Sequence, residues 1–175
     1  MNADTISAQI AAFSAARHDA DGESPEKCSV IQSLEDNSSD PRVVSFLLDV
    51  ISDPNGYDLA RIEALKIFQL LVPSDAVTND RIGRCIATLV KAERDVLVRQ
   101  WSAIAAENFV SVDEVVAAIS STLMDQDADL DVRHNCLAAV MRLVNSEQVA
   151  RILRSVEYDP RLGVSVRRIL DERGQ

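Results

Sequence analysis

The feature that most constrains this chain is a period of about 34 residues in its apolar pattern. A basic residue stands near the start of successive apolar runs: Lys27, Arg61, Arg99, Arg133 and Arg167, at spacings of 34, 38, 34 and 34. Aligned on these, the columns that follow are apolar or small. Three residues on come Val30, Ala64, Ser102, Cys136 and Leu170; four on, Ile31, Leu65, Ala103 and Leu137; seven on, Leu34, Phe68, Ala106 and Val140; ten on, Leu71, Phe109 and Leu143. Offsets of 3, 4, 7 and 10 trace one stripe of an α-helix. A second register lies between, in which Val43, Ile82, Val115 and Val149 align. It continues with Leu47, Ile86, Ile119 and Leu153, then Val50, Leu89, Thr122 and Val156. The unit is therefore a pair of helices, which must stack on its neighbours to bury its stripes.

Turn signals separate the runs. Asp40-Pro41, Asp53-Pro54-Asn55-Gly56, Pro73-Ser74-Asp75 and Asp159-Pro160 break helices. Ser24-Pro25 offers an N-cap before proline at the first helical position, and Ser111 with Glu114 has the form of a capping box. These signals predict helices at about 4–17, 25–35, 41–51, 58–72, 79–92, 96–109, 112–124, 130–144, 146–157 and 162–172. No alternating strand pattern competes with them. The predicted fold is all-α, a single domain over 1–175, with residues 1–20 capping helix pairs over 24–172.

The period and the D…V-R start of the first helices resemble HEAT repeats. Asp95 with Val98-Arg99 and Asp129 with Val132-Arg133 carry the pattern best, while Val166-Arg167 and Asp58-Leu59-Ala60-Arg61 are looser versions. The resemblance implies a right-handed alpha-solenoid of about four to five helix pairs. It also implies a structural role for Asp95, Arg99, Asp129 and Arg133, which such proteins use in ladders between repeats. A tetratricopeptide array shares the period but lacks its W…L-G…Y signature here, and the ankyrin T-P-L-H turn is absent.

Chemistry leaves few traces. Residues 124–135, MDQDADLDVRHN, begin like a calcium loop, but position 6 is Leu130 rather than glycine and position 12 is Cys136 rather than glutamate. His18 and His134 have no ligand partner at helical spacing, so no metal site is expected. The His-Glu pairs of HEAT-like deoxyhypusine hydroxylases are missing. No G-x-S-x-G or glycine-rich phosphate loop occurs, and Cys136 falls in a core column. No cofactor is expected. Three scattered cysteines, no signal-peptide pattern and no membrane-length apolar run point to a reduced, cytoplasmic protein.

The net charge of −10 argues against nucleic acid as a partner and against a HEAT-like DNA glycosylase. The charge is uneven: residues 1–80 hold 14 acidic and 5 basic side chains, whereas 81–175 hold 14 and 13. The expected function is therefore non-catalytic protein binding, as a scaffold or adaptor, or as an inhibitor or immunity protein whose acidic half meets a basic partner. The competing class is a HEAT-like enzyme, such as a bilin lyase-type or nucleic-acid-modifying protein. In HEAT-type solenoids the second helices line the concave face. That implies a partner stripe including Arg84, Thr88, Lys91, Ser121, Arg151 and Arg154, with the lone Trp101 as a possible outward hot spot. Helix 41–51 has almost no polar face, so it is expected to be covered by the first helix or to join a weak homodimer in an otherwise monomeric protein.

Overall fold

The computed structural model describes residues 3–16, 23–172 and 174. Among them the chain is all-helical. The α-helices are α1 (Ala3–Ala15), α2 (Pro25–Ser33), α3 (Pro41–Ser52), α4 (Asp58–Leu70), α5 (Ala76–Ala92), α6 (Val96–Ala105), α7 (Asp113–Met124), α8 (Leu130–Val140), α9 (Ser146–Ser155) and α10 (Gly163–Glu172). Short 3-10 turns, Glu35–Asn37 and Ala106–Phe109, follow α2 and α6. His18 and the predicted end of the first helix lie outside the described residues.

Helices pack on their second neighbours in the chain. α2, α4, α6 and α8 contact one another in turn, and so do α3, α5 and α7. The aligned columns form the seam between the two rows. Val43, Ile82, Val115 and Val149 are all fully buried, as are Leu47, Ile86, Ile119 and Leu153. On the other row, Leu34, Phe68, Ala106 and Val140 are equally inaccessible. Small side chains such as Ala64, Ala103 and Gly83 let the helix axes approach closely, which is how a core with 4% aromatics is filled.

Helix starts follow side-chain chemistry. Asp40, Asp75, Asp95, Asp129 and Asn145 each occupy an N-cap and accept a backbone N–H from the first turn. Asp75 starts α5 at Ala76 rather than 79, because its carboxylate takes the Thr78 N–H at 2.8 Å. The capping box expected at Ser111 does not form. Val112 is the N-cap of α7, and the Ser111 hydroxyl instead accepts from Asn79 Nδ2 at 3.1 Å. Val112 is held there by burial against Gly83, where a Cβ would come within 2.7 Å of Val112 Cγ2.

Several helices end earlier than expected. α4 stops at Leu70, where Asn108 Nδ2 donates to the Phe68 carbonyl at 3.2 Å and also to Leu71. α6 tightens into its 3-10 turn after Ala105, and α8 stops at Val140. α3 is covered as expected: Phe13 of α1 meets Phe46 edge-on at 5.0 Å.

Candidate functional site

The repeat arginines occupy the interior. Arg133 is fully buried, and its Nε and Nη2 donate to the Leu123 carbonyl at the end of α7, at 3.0 and 2.9 Å. The same Nη2 pairs with Asp159 after α9 at 2.5 Å. Arg61 repeats this arrangement, donating to the Ile51 carbonyl at the end of α3 and pairing with Glu93 at the end of α5. Arg167 donates to the Glu157 carbonyl at 2.8 Å. Each guanidinium thus caps the helix before it, whose last carbonyls have no partner within the helix.

Asp95 and Arg99 do not pair, nor do Asp129 and Arg133: each acid caps its own helix while the arginine reaches back. Arg99 donates to the Val90 carbonyl at 2.8 Å but makes no ion pair among the described residues. The acid aligned with Asp159, 34 residues earlier, is Asp125. Its carboxylate instead accepts the Asp127 N–H at 3.0 Å, the same turn that Asp53 makes with Asn55.

These contacts set the local electrostatics. Burial raises the Asp159 carboxyl, but the Arg133 guanidinium and the Leu162 and Arg161 N–H groups outweigh it and hold it below the usual carboxylate range. Glu93 is likewise lowered: burial opposes, and Arg61 with the Asp95 and Arg94 N–H groups prevails. Burial pushes the Cys136 thiol up to about 12, which keeps it an unreactive core residue. His134 is exposed. Among the described residues no three His, Cys, Asp or Glu side chains are placed to hold a metal, and no helix is long and apolar enough to cross a membrane.

Three adjoining hollows run across α5, α7 and α9, while two others lie where α1 meets α3 and α4 and between α2 and α4. Arg84, Thr88 and Lys91 of α5 face Glu114 and Ala117 of α7 across a depression of about 360 Å³. Ala117 also borders the next depression, a groove of about 400 Å³ lined by Asp113, Val116, Ser120 and Met124 of α7 and Gln148, Arg151, Ile152 and Ser155 of α9, so that it carries one carboxylate and one guanidinium. Gln148 and Arg151 continue into a third hollow of about 380 Å³ at the start of α9. The three share residues edge to edge and form one trough.

Of the residues expected on a partner stripe, Arg84, Thr88, Lys91 and Arg151 line this trough. Ser121 and Arg154 are exposed on the same helices but line none of its hollows. Arg84 is not a free cation: it pairs with Asp80 at 3.1 Å and with Glu114 at 3.2 Å. Trp101 lies apart. It is half-buried on α6, with Lys66 Nζ of α4 at 5.0 Å from its ring centroid, so it covers a neighbouring helix. Gln148, expected on the same stripe, also lines the groove, whereas sequence reasoning missed Ser120, Met124 and Ile152 as groove residues. The available signal was the alignment of α7 and α9, which puts Ala117 and Gln148 where α5 and α7 carry Arg84 and Glu114.

No protein-family model matches the chain. No curated protein and no solved structure matches it either.

Proposed function

We propose that this chain is a right-handed alpha-solenoid of four to five HEAT-like helix pairs, closed at one end by α1, and that it works as a non-catalytic protein-binding module. The observation that carries this reading is the trough across α5, α7 and α9, open to solvent and lined by long polar side chains between helices whose buried faces are fully used. Such a surface suits a partner chain laid across several helices. The repeat arginines and their acids are taken up in holding helix ends together. Free thiols at Cys28, Cys85 and Cys136 suit a reducing compartment such as the cytoplasm.

A narrower form of the reading is an inhibitor or immunity protein that covers a basic partner. It rests on the net −9 of residues 1–80, where Glu23, Glu26, Glu35 and Asp36 are exposed.

The test is to purify the tagged full chain from its native host and rebuild any complex from separately purified components. The expected result is a complex of fixed stoichiometry with one protein. A recurring bound small molecule or metal ion, with no protein partner, would overturn the reading in favour of an enzyme.

A further inference from the structure

We propose that α9 and α10 form a detachable helical hairpin, which swings away from the α1–α8 body about the Met141–Asn145 connection and so opens and closes one wall of the trough. The proposal stands on how the last pair is attached and does not depend on a partner.

Earlier steps of the helix rows are tied by polar side chains. α3 meets α5 through Arg81 with Ser45 and Ser52 with Cys85. α5 meets α7 and its start through Arg84 with Glu114, Asn79 with Ser111, and Thr122 with the Val90 carbonyl. α6 meets α8 through Gln100 with Asp129 and Asn135 with the Gln100 carbonyl.

The spacings that align Ile82, Val115 and Val149 show why the α7–α9 step lacks such ties. Arg84 aligns with Ala117, Asn79 with Val112 and Thr122 with Val156, so each donor of the α5–α7 step becomes an aliphatic side chain. Gly83, where α5 crosses the start of α7, aligns with the bulkier, buried Val116. α8 lies close along both α6 and α7, whereas α9 and α10 lie close along each other and along no other helix to that degree. Among the described residues, the one hydrogen bond or ion pair joining residues 1–144 to 145–172 is that of Arg133 with Asp159.

The hairpin, by contrast, is tied within itself. The Asp159 carboxylate accepts the Arg161 and Leu162 N–H groups, each at 2.9 Å, and Arg167 donates to the Glu157 carbonyl at 2.8 Å. Gly163 packs so tightly here that a Cβ would come within 2.5 Å of that carbonyl. The rest of the attachment is apolar, with Val149, Leu153, Leu162 and Val166 fully buried. Such burial is non-directional, and a terminal repeat has a neighbour on one side alone. A supersecondary unit held in this way opens locally at a cost below that of global unfolding.

The buried ion pair is the latch. In the docked hairpin Arg133 has no solvent access and its Nη1 has no acceptor. Arg61 gives the matching Nη1 to Asp58, whose place before Arg133 is taken by Leu130. Opening hydrates that N–H, and it hydrates Arg133 and Asp159 together, so the pair is lost without leaving either charge buried alone. Removing one partner has the opposite effect: it strands a charge in the docked state and favours the open one. Because α9 lines two of the three hollows, its departure dismantles the trough from α7 onward.

The experiment is native-state hydrogen exchange of the full chain, read by mass spectrometry at rising urea concentrations below the unfolding transition. α9 and α10 should exchange at least tenfold faster than α4–α6, through one shared opening whose urea dependence is smaller than that of global unfolding. An Asp159→Asn variant should speed exchange across α9 and α10 at least tenfold further and leave α4–α6 unchanged. The proposal is overturned if α9 and α10 share the urea dependence of α4–α6, or if they exchange without a common opening. An Asp159→Asn variant that speeds exchange evenly along the chain, or that unfolds α4–α6 with the hairpin, overturns it as well.

Discussion

At the scale of single residues, the buried arginines are the most demanding groups in the molecule. Arg133 has no solvent access and depends on the Leu123 carbonyl and Asp159 for compensation. Replacing it with methionine strands a buried carboxylate and an uncapped helix end. The expected loss is about 3–5 kcal/mol of stability by chemical denaturation. Arg99 is half-buried and bonded only to carbonyls, so Arg99→Met should cost about 1 kcal/mol. Equal losses at the two positions would refute this distinction. The pair also sets an acid limit. Asp159 and Glu93 titrate below the usual carboxylate range in the folded chain. Their contribution is present above the unfolded-state value of about 4 and is lost as pH falls below it through the lowered folded values. An Asp159→Asn variant should show a flatter loss of stability with acid than the parent in pH-dependent melting.

At the scale of elements, the account concerns how helices begin, end and approach. Asp95→Ala removes a cap and should cost about 1 kcal/mol, read from the denaturation midpoint. Gly83→Ala places a methyl against Val112 where α5 crosses the start of α7. The expected destabilisation is about 1–3 kcal/mol despite the better helix propensity of alanine. A stabilised Gly83→Ala variant would mean that this crossing can relax. Helix starts were legible in the sequence because Asp40, Asp95 and Asp129 act on N–H groups two or three residues away. Helix ends were less so. α4 ends where Asn108, about 40 residues later, takes its carbonyls. The failed capping box at Ser111 has the same origin, since the burial of Val112 against a distant glycine outweighs one local hydrogen bond. Core columns were largely legible because periodicity reports burial directly: Ile82, Val115 and Val149 lie where it puts them, and Val30 at the chain's early end is only half-buried.

At the scale of the whole molecule, charge and shape are arranged along the chain, with the net negative charge concentrated early, where basic residues are few, and the unpaired Arg151 beside the last groove. Association through either region should weaken as salt rises, and a complex insensitive to ionic strength would argue against both. This level was only partly readable beforehand. The stripe residues Arg84 and Arg151 look alike in sequence, yet one is neutralised by a neighbouring helix and the other is not. Trp101 likewise reads as an outward hot spot until Lys66 is seen over its ring. The central claim is that α5, α7 and α9 present the binding face. Hydrogen–deuterium exchange of the full chain, with and without its reconstituted partner, tests it most directly. The account predicts added protection in the exposed turns of α7 and α9 and the facing part of α5, with α2, α4 and α6 unchanged. Protection confined to α2, α4 and α6, or none anywhere in a formed complex, would contradict it.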